Sequence, residues 1–216
     1  MTGYVTLERP WITFDLGAPM QVLSWAINRP GFVTADRIVW REVRNADLTC
    51  DMDVHGWLKR TLEDRGDSEA VCFLTSRDVR FYTQASAGAA DVAAHCVATV
   101  GLSNAERVGH RVDRSTTDWG TINIAVSVQS SLSQTGLIEA LSIAAQARTA
   151  AIMEIGMDLP VGIATGTGTD CIAVAAPAGD TDYAGLHTQI GEVIGAAVYR
   201  ATLQGAQDWM RDVARQ

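Results

Sequence analysis

Thr121-Ile-Asn-Ile-Ala-Val-Ser-Val128, followed by Gly136-Leu-Ile-Glu-Ala-Leu-Ser-Ile-Ala-Ala-Gln-Ala-Arg-Thr-Ala-Ala-Ile-Met-Glu-Ile-Gly156, is the stretch that decides the fold class. The first eight residues are rich in branched apolar side chains, which favours a strand. The second segment places Leu137, Leu141, Ala144, Ile152 and Ile155 on one stripe at helical spacing and stops at Gly156. Arg148 falls on that same stripe, seven residues from both Leu141 and Ile155.

Working outward, residues 92–102 read as a second strand and residues 160–176 as extended chain broken by a Gly/Thr loop. A second long helix is expected over 185–204, with Leu186, Ile190, Val193, Ala197 and Ala201 facing inward. Gly191 and Gly195 repeat at four-residue spacing there, which predicts close packing against a neighbouring element. In the first half, residues 11–16 and 20–27 alternate around Gly17-Ala18-Pro19 and read as a hairpin. Residues 36–43 predict a strand, 52–65 a charged helix ending at Gly66, and 70–75 with 79–85 a second hairpin turning at Arg77-Asp78. The strands and helices lack a strict βαβ rhythm. The expectation is an α+β fold over residues 1–216, one domain of mostly antiparallel sheet layered against two long helices.

Composition bounds the function. The chain has 216 residues, 47% hydrophobic and 19% charged, which suffices for a core without staples. Its formal charge is −8, with Lys59 the single lysine, so no basic stripe exists to bind nucleic acid. Cys50, Cys72, Cys96 and Cys171 are scattered without a C-x-x-C pair, and the four histidines are equally dispersed, so no metal site is expected. No run of 18 apolar residues occurs, and the N-terminus has neither a basic start nor an apolar core, which predicts a cytoplasmic protein without membrane contact. Six tryptophans suit either a core or a large apolar ligand.

Three segments carry candidate chemistry: Ala98-Thr-Val-Gly-Leu-Ser-Asn-Ala105, Gly120-Thr-Ile-Asn-Ile-Ala-Val126 and Ala164-Thr-Gly-Thr-Gly-Thr-Asp170. Period-two alternation puts Thr99, Gly101 and Ser103 on one face of the first, opposite Val100 and Leu102. In the second, Thr121 and Asn123 oppose Ile122 and Ile124. In the third, Thr165, Thr167 and Thr169 line up while Gly166 and Gly168 point away. Hydroxyls, amides and one carboxylate delivered from strand ends could supply the nucleophile, proton acceptor and dipoles of amide hydrolysis. They could equally be ordinary strand threonines and turn residues. The Gly-rich run lacks the Gly-Lys-Ser/Thr ending of a phosphate loop, and neither a Gly-x-Ser-x-Gly elbow nor a His-Glu-x-x-His pair is present.

Together with Tyr183-Ala-Gly-Leu-His-Thr-Gln-Ile-Gly-Glu-Val-Ile-Gly195, these segments resemble the adenosylcobinamide amidohydrolase family, in the same order from about residue 92 to 200. Before residue 90 the likeness is limited to Ser24-Trp25 and Asn28 near Gly31. The resemblance implies removal of the aminopropanol arm of adenosylcobinamide to leave adenosylcobyric acid, with a corrinoid as the small-molecule partner and no cofactor. A homo-oligomer is compatible with it. Two alternatives stay open, a corrinoid-binding protein without catalysis and an amidase for another cofactor-like amide. The family's first long helix carries Thr-Glu-Ala-Lys-Thr, whereas this chain has Ala145-Gln-Ala-Arg-Thr149; Gln146 cannot act as a base and Arg148 cannot replace a titrating amine. Asp170 is the expected general base and Thr167 a nucleophile or donor. His187 is the candidate proton donor to the leaving amine. Thr99, Ser103, Asn104, Thr121, Asn123 and Thr165 are the expected substrate-binding residues.

Overall fold

The computed structural model describes residues 4–44, 52–111 and 120–213. In chain order the elements are β1 Tyr4–Glu8, β2 Trp11–Ser24, β3 Gly31–Glu42, α1 Val54–Arg65, β4 Val71–Thr75, β5 Thr83–Ala89, β6 Val92–Val100, β7 Ala105–Glu106, β8 Ile122–Val128, α2 Gln134–Ile155, β9 Asp158–Leu159, β10 Gly162–Ile163, β11 Gly166–Thr167, β12 Cys171–Ala176 and α3 Gln189–Val213. The main sheet runs β4-β3-β2-β12-β8-β6-β5, with β1 added to the first half of β2. All its pairings are antiparallel except β3 with β4 and β8 with β12. A mostly antiparallel sheet against long helices is the α+β arrangement expected. Cys50 lies outside the described residues.

The helices follow from local chemistry. Asp53 caps α1 by accepting from the Gly56 amide at 2.9 Å, and Gly66 ends it at φ +77°. Ser133 caps α2 by accepting from the Gly136 amide at 3.1 Å, and Gly156 closes it in the left-handed region. The apolar stripe of α2 is buried at Leu137, Ala144 and Ile152, while Leu141 and Ile155 pack against the same core half-buried. Helix α3 starts later and runs longer than expected, so Leu186 lies outside it and is exposed. Ile190, Val193, Ala197 and Ala201 are buried as predicted. Of the two spaced glycines only Gly191 is closely packed, since a Cβ at Gly195 would meet nothing nearer than Ile143 Cγ2 at 3.6 Å. A Cβ at Gly191 would stand 2.2 Å from the Gly185 carbonyl oxygen.

Both hairpin expectations are overturned. Gly17-Ala18-Pro19 does not reverse the chain. Both flanks pair with β3, and the register jumps from Asp15↔Arg37 to Met20↔Ala35, so β2 is one bent strand. Gly17 takes φ +80°, with its amide held by Asp15 at 2.7 Å. At that bend the other edge of β2 changes partner from β1 to β12. Likewise, Arg77-Asp78 is no hairpin turn. β4 and β5 lie at opposite ends of the sheet path, and Asp78 caps a short 3-10 turn over Val79–Phe81.

Each face of the sheet has its own core. On one face Val100, Leu102, Ile122, Ile124, Ile172 and Val174 join buried residues of α2 and α3. The odd-numbered side chains Val97, Ala125 and Ala173 face a second core, made with Phe14, Trp40, Val71 and Phe73 as the β2–β4 half curls over. The curl brings β4 back to β8, where Asn123 Nδ2 donates to the Leu74 carbonyl at 2.7 Å.

Candidate functional site

The curled half meets the rest of the sheet incompletely and leaves a cleft of about 610 Å³. Its apolar wall is built by Trp25, Ile27, Val43, Val54, Phe73 and Leu74. Its polar lining is Gly120, Thr121, Asn123, Thr169 and Asp170, from the ends of β8 and β12 and the loop before β12, together with Arg44 and Ser76. Cys72 and Cys171 also line it. Burial pushes the Cys171 thiol up to about 12 and the Cys72 thiol further in the same direction, so neither is a thiolate at neutral pH. Among the described residues, no group of three His, Cys, Asp or Glu side chains converges on a metal-sized site.

Asp170 is the most heavily engaged group. Its side chain is only 7% exposed and forms an ion pair with Arg148, which reaches it from the apolar stripe of α2. It accepts from the Thr167 amide at 3.1 Å, from the Thr167 hydroxyl, and from the Ile122 amide at 3.3 Å. The contact passes directly over Gly166, where a Cβ would lie 2.2 Å from Arg148 Nη1 and 2.5 Å from Asp170 Oδ2. Burial lowers the Arg148 pKa from its ordinary value, although a guanidinium stays protonated in proteins. The pair therefore places a charged, oriented carboxylate at the edge of an apolar cleft.

Of the other expected residues, Thr121 and Asn104 join one hydrogen-bonded cluster around Thr169, while Thr99 and Thr165 bond elsewhere. Thr121 Oγ1 donates to the Thr169 carbonyl at 2.9 Å, and Thr169 Oγ1 to the Gly120 carbonyl at 2.8 Å. Asn104 sits behind them, 9% exposed, with Nδ2 donating to Thr169 Oγ1 at 3.4 Å. Thr99 lies beside Asn123 in the β6–β8 register and donates to Thr75 Oγ1 at 3.5 Å, fully buried. Thr165 faces away from the cleft, accepting from the Val108 amide at 2.8 Å. Of Thr99, Asn104, Asn123 and Thr165, only Asn123 lines the cleft. Thr165, Thr167 and Thr169 do not share a strand face, because the Asp170 clamp and the short β7–β11 pairing turn the segment into a loop.

Ser103 is exposed in a turn and lines no part of the cleft. His187 stands exposed just before α3, next to Thr188, whose hydroxyl accepts from the Gly191 amide and caps that helix. Its neighbours Ala184 and Gly185 pack against Glu139. Glu139 lies nine residues before Arg148 on α2, and His187 lines no part of the cleft. Trp25 and the β4 wall were absent from the sequence-based site. Their signal is faint: an aromatic residue at the point where the β2 alternation ends.

The chain matches the sequence profile of the adenosylcobinamide amidohydrolase (CbiZ) family over residues 2–214. It is also 36% identical over 89 residues to an uncharacterized protein of Methanocaldococcus jannaschii, an alignment covering 39% of this chain and 35% of that protein. The matched region therefore spans about a third of the curated relative's length. Among solved structures, a Burkholderia sp. beta-aminopeptidase is similar over 95% of this chain and 85% of its own, with TM-score 0.48 and 12% identity. The PH0078 protein of Pyrococcus horikoshii OT3 is similar over 90% of this chain and 76% of its own, with TM-score 0.45 and 10% identity. By the profile match, which covers nearly its whole length, this chain belongs to the adenosylcobinamide amidohydrolase family.

Proposed function

We propose that this protein hydrolyses the amide joining the aminopropanol arm to the corrin of adenosylcobinamide, releasing adenosylcobyric acid in corrinoid salvage. The observation that carries this reading is the family match over residues 2–214. The cleft, about 610 Å³, is within the range of small-molecule sites, about 300–1,000 Å³, and suits one portion of a corrinoid rather than all of it. The hydroxyl protons of Thr121 and Thr169 are engaged on backbone carbonyls, so these side chains offer a ligand oxygen lone pairs. Acceptors at Thr121, Thr169 and Asp170, with the Arg44 guanidinium as a donor, suit the N–H and C=O groups of a corrinoid's peripheral carboxamides.

In this reading Asp170 takes the proton from the attacking oxygen, water or the Thr167 hydroxyl that already donates to it. It returns that proton to the amine as the C–N bond breaks; where Thr167 attacks, water then hydrolyses the resulting ester to free the acid and restore the hydroxyl. Arg148 orients the carboxylate through their ion pair. The Lys-to-Arg departure from the family's helix motif therefore conserves a cation for Asp170. Since His187 does not line the cleft, the proton to the leaving amine comes from Asp170 itself. The buried, protonated thiols of Cys72 and Cys171 leave cysteine nucleophiles out of the scheme.

Incubation with adenosylcobinamide should yield cobyric acid product by mass spectrometry, with turnover reduced about 10²–10⁴-fold in Asp170→Asn. Because Asp170 also clamps its loop, Thr167→Val is the companion variant, and both are checked for folding by circular dichroism. Tight binding without product would establish a corrinoid-binding protein instead. Absence of both would redirect the search to another amide.

A further inference from the structure

Trp25 is an aromatic side chain that the proposed chemistry leaves unused, and its setting is unusual. It follows the last residue of β2, and its indole Nε1 donates to the Asp170 carbonyl at 2.7 Å, a bond between positions 145 residues apart. The residue is nonetheless 46% exposed. Alternation continues past the strand end. Ala26 turns into the core at 1% exposure, while Ile27 returns to the surface at 36%. Trp25 and Ile27 both line the cleft, in the same apolar wall as Phe73 and Leu74 of β4.

A tryptophan whose N–H is already engaged has no polar group left to offer a ligand. What it presents to the cleft is ring surface, held in one orientation by the hydrogen bond. A fixed, exposed ring beside other apolar side chains suits stacking on a flat conjugated ring, because little side-chain freedom is lost on binding. We infer that Trp25 is a substrate-contact residue that stacks on a planar conjugated ring of the ligand and, through Nε1, positions the Asp170 segment. This rests on the corrinoid reading for the ligand's identity. Adenosylcobinamide carries two conjugated ring systems, the flat aromatic adenine and the corrin, whose reduced macrocycle is puckered and bears axial ligands on its cobalt.

Two variants separate the two roles. Trp25→Phe keeps a ring and removes the N–H; Trp25→Ala removes both. Binding is measured by equilibrium titration with adenosylcobinamide and with dicyanocobinamide, which has the corrin without the adenine. Stacking on an aromatic ring predicts that Trp25→Ala weakens binding about tenfold or more, while Trp25→Phe stays within about threefold. An equal loss with both ligands assigns the corrin as the stacked ring, and a loss confined to adenosylcobinamide assigns the adenine. In turnover, Trp25→Phe should lower kcat with KM little changed, since the loop before β12 loses its anchor, whereas Trp25→Ala should also raise KM. Wild-type affinity in Trp25→Ala for both ligands would overturn the stacking role, even if product formation upholds the amidohydrolase. Conversely, the affinity loss without any product from the wild type would leave Trp25 as a ligand contact and remove the hydrolase. Failure of the wild-type protein to bind either ligand would overturn both.

Discussion

The two faces of the central sheet are covered by different means, and the cleft belongs to one of them. The helix-covered face is filled by alanine and branched aliphatics, among them Ala98, Ala140, Ala144, Ala197 and Ala201, with no buried aromatic among the described residues. Small side chains let α2 and α3 settle closely on the strands and on each other. The opposite face is covered by the sheet's own β2–β4 half, and its core holds Phe14, Trp40 and Phe73. Stacked sheets lie about 10 Å apart, so large side chains are needed to fill the space. Trp40 and Phe73 meet edge to face at 5.1 Å, and Phe14 meets His95 at 5.2 Å.

The difference explains where a site can form. Helices cover their face along its length. A sheet curled on itself closes only where its edges meet, and here they meet through side chains. Asn28 accepts from the Cys72 amide at 3.0 Å and donates to the Ala70 carbonyl at 2.9 Å, while Asn123 takes the Leu74 carbonyl. These two amides stand in for a strand along the free edge of β4. Beside this partial seam the polar row Thr99, Asn123 and Cys171, adjacent across β6, β8 and β12, faces the cleft side of the sheet.

The largest test of this contrast is volume. Phe14→Ala on the self-covered face should cost about 3–5 kcal/mol, because a fully buried aromatic leaves a cavity. On the helix-covered face the opposite change should hurt: Ala144→Leu, at a site with no exposure, should cost about 1–3 kcal/mol by overpacking. Urea denaturation of both variants checks the pair, and equal tolerance of Ala144→Leu would show that the helices are not closely seated. A smaller effect separates the two glycines of α3. Gly191→Ala drives a Cβ onto the Gly185 and Ala184 carbonyls and should destabilise. Gly195→Ala meets only Ile143 Cγ2 at 3.6 Å and should stabilise by about 0.5–1 kcal/mol through helix propensity. The thermal midpoints should therefore move in opposite directions.

The smallest effect concerns the crossing between the two halves. The Asp78 carboxyl, capping the turn after β4, is held down to about 2, chiefly by its hydrogen bond from Arg80. Its folded pKa lies below the unfolded value of about 3.9, so its contribution is complete above that value and is lost as pH falls through about 2. The pair is near the surface, and the contribution should be under about 1 kcal/mol. Asp78→Asn should lower the urea midpoint slightly at pH 7 and leave it unchanged near pH 2.

The sequence by itself determined the two long helices, the end of the first at Gly156, the strands around Thr99 and Asn123, and the family. Each rests on information within about twenty residues: a period of 2 or 3.6, a helix-ending glycine, or a short motif. The tertiary structure decided what Gly17-Ala18-Pro19 does, because a bend and a reversal use the same turn residues and differ only in which strand pairs with both flanks. It also decided the site's membership. Arg148 on an apolar stripe is legible in the sequence, but its partner is not. Asp170 receives it only because α2 crosses over Gly166, a position without a side chain to obstruct the pair. Trp25 enters the cleft, and His187 leaves it, through contacts between segments far apart in the chain, and local periodicity carries no record of those distances.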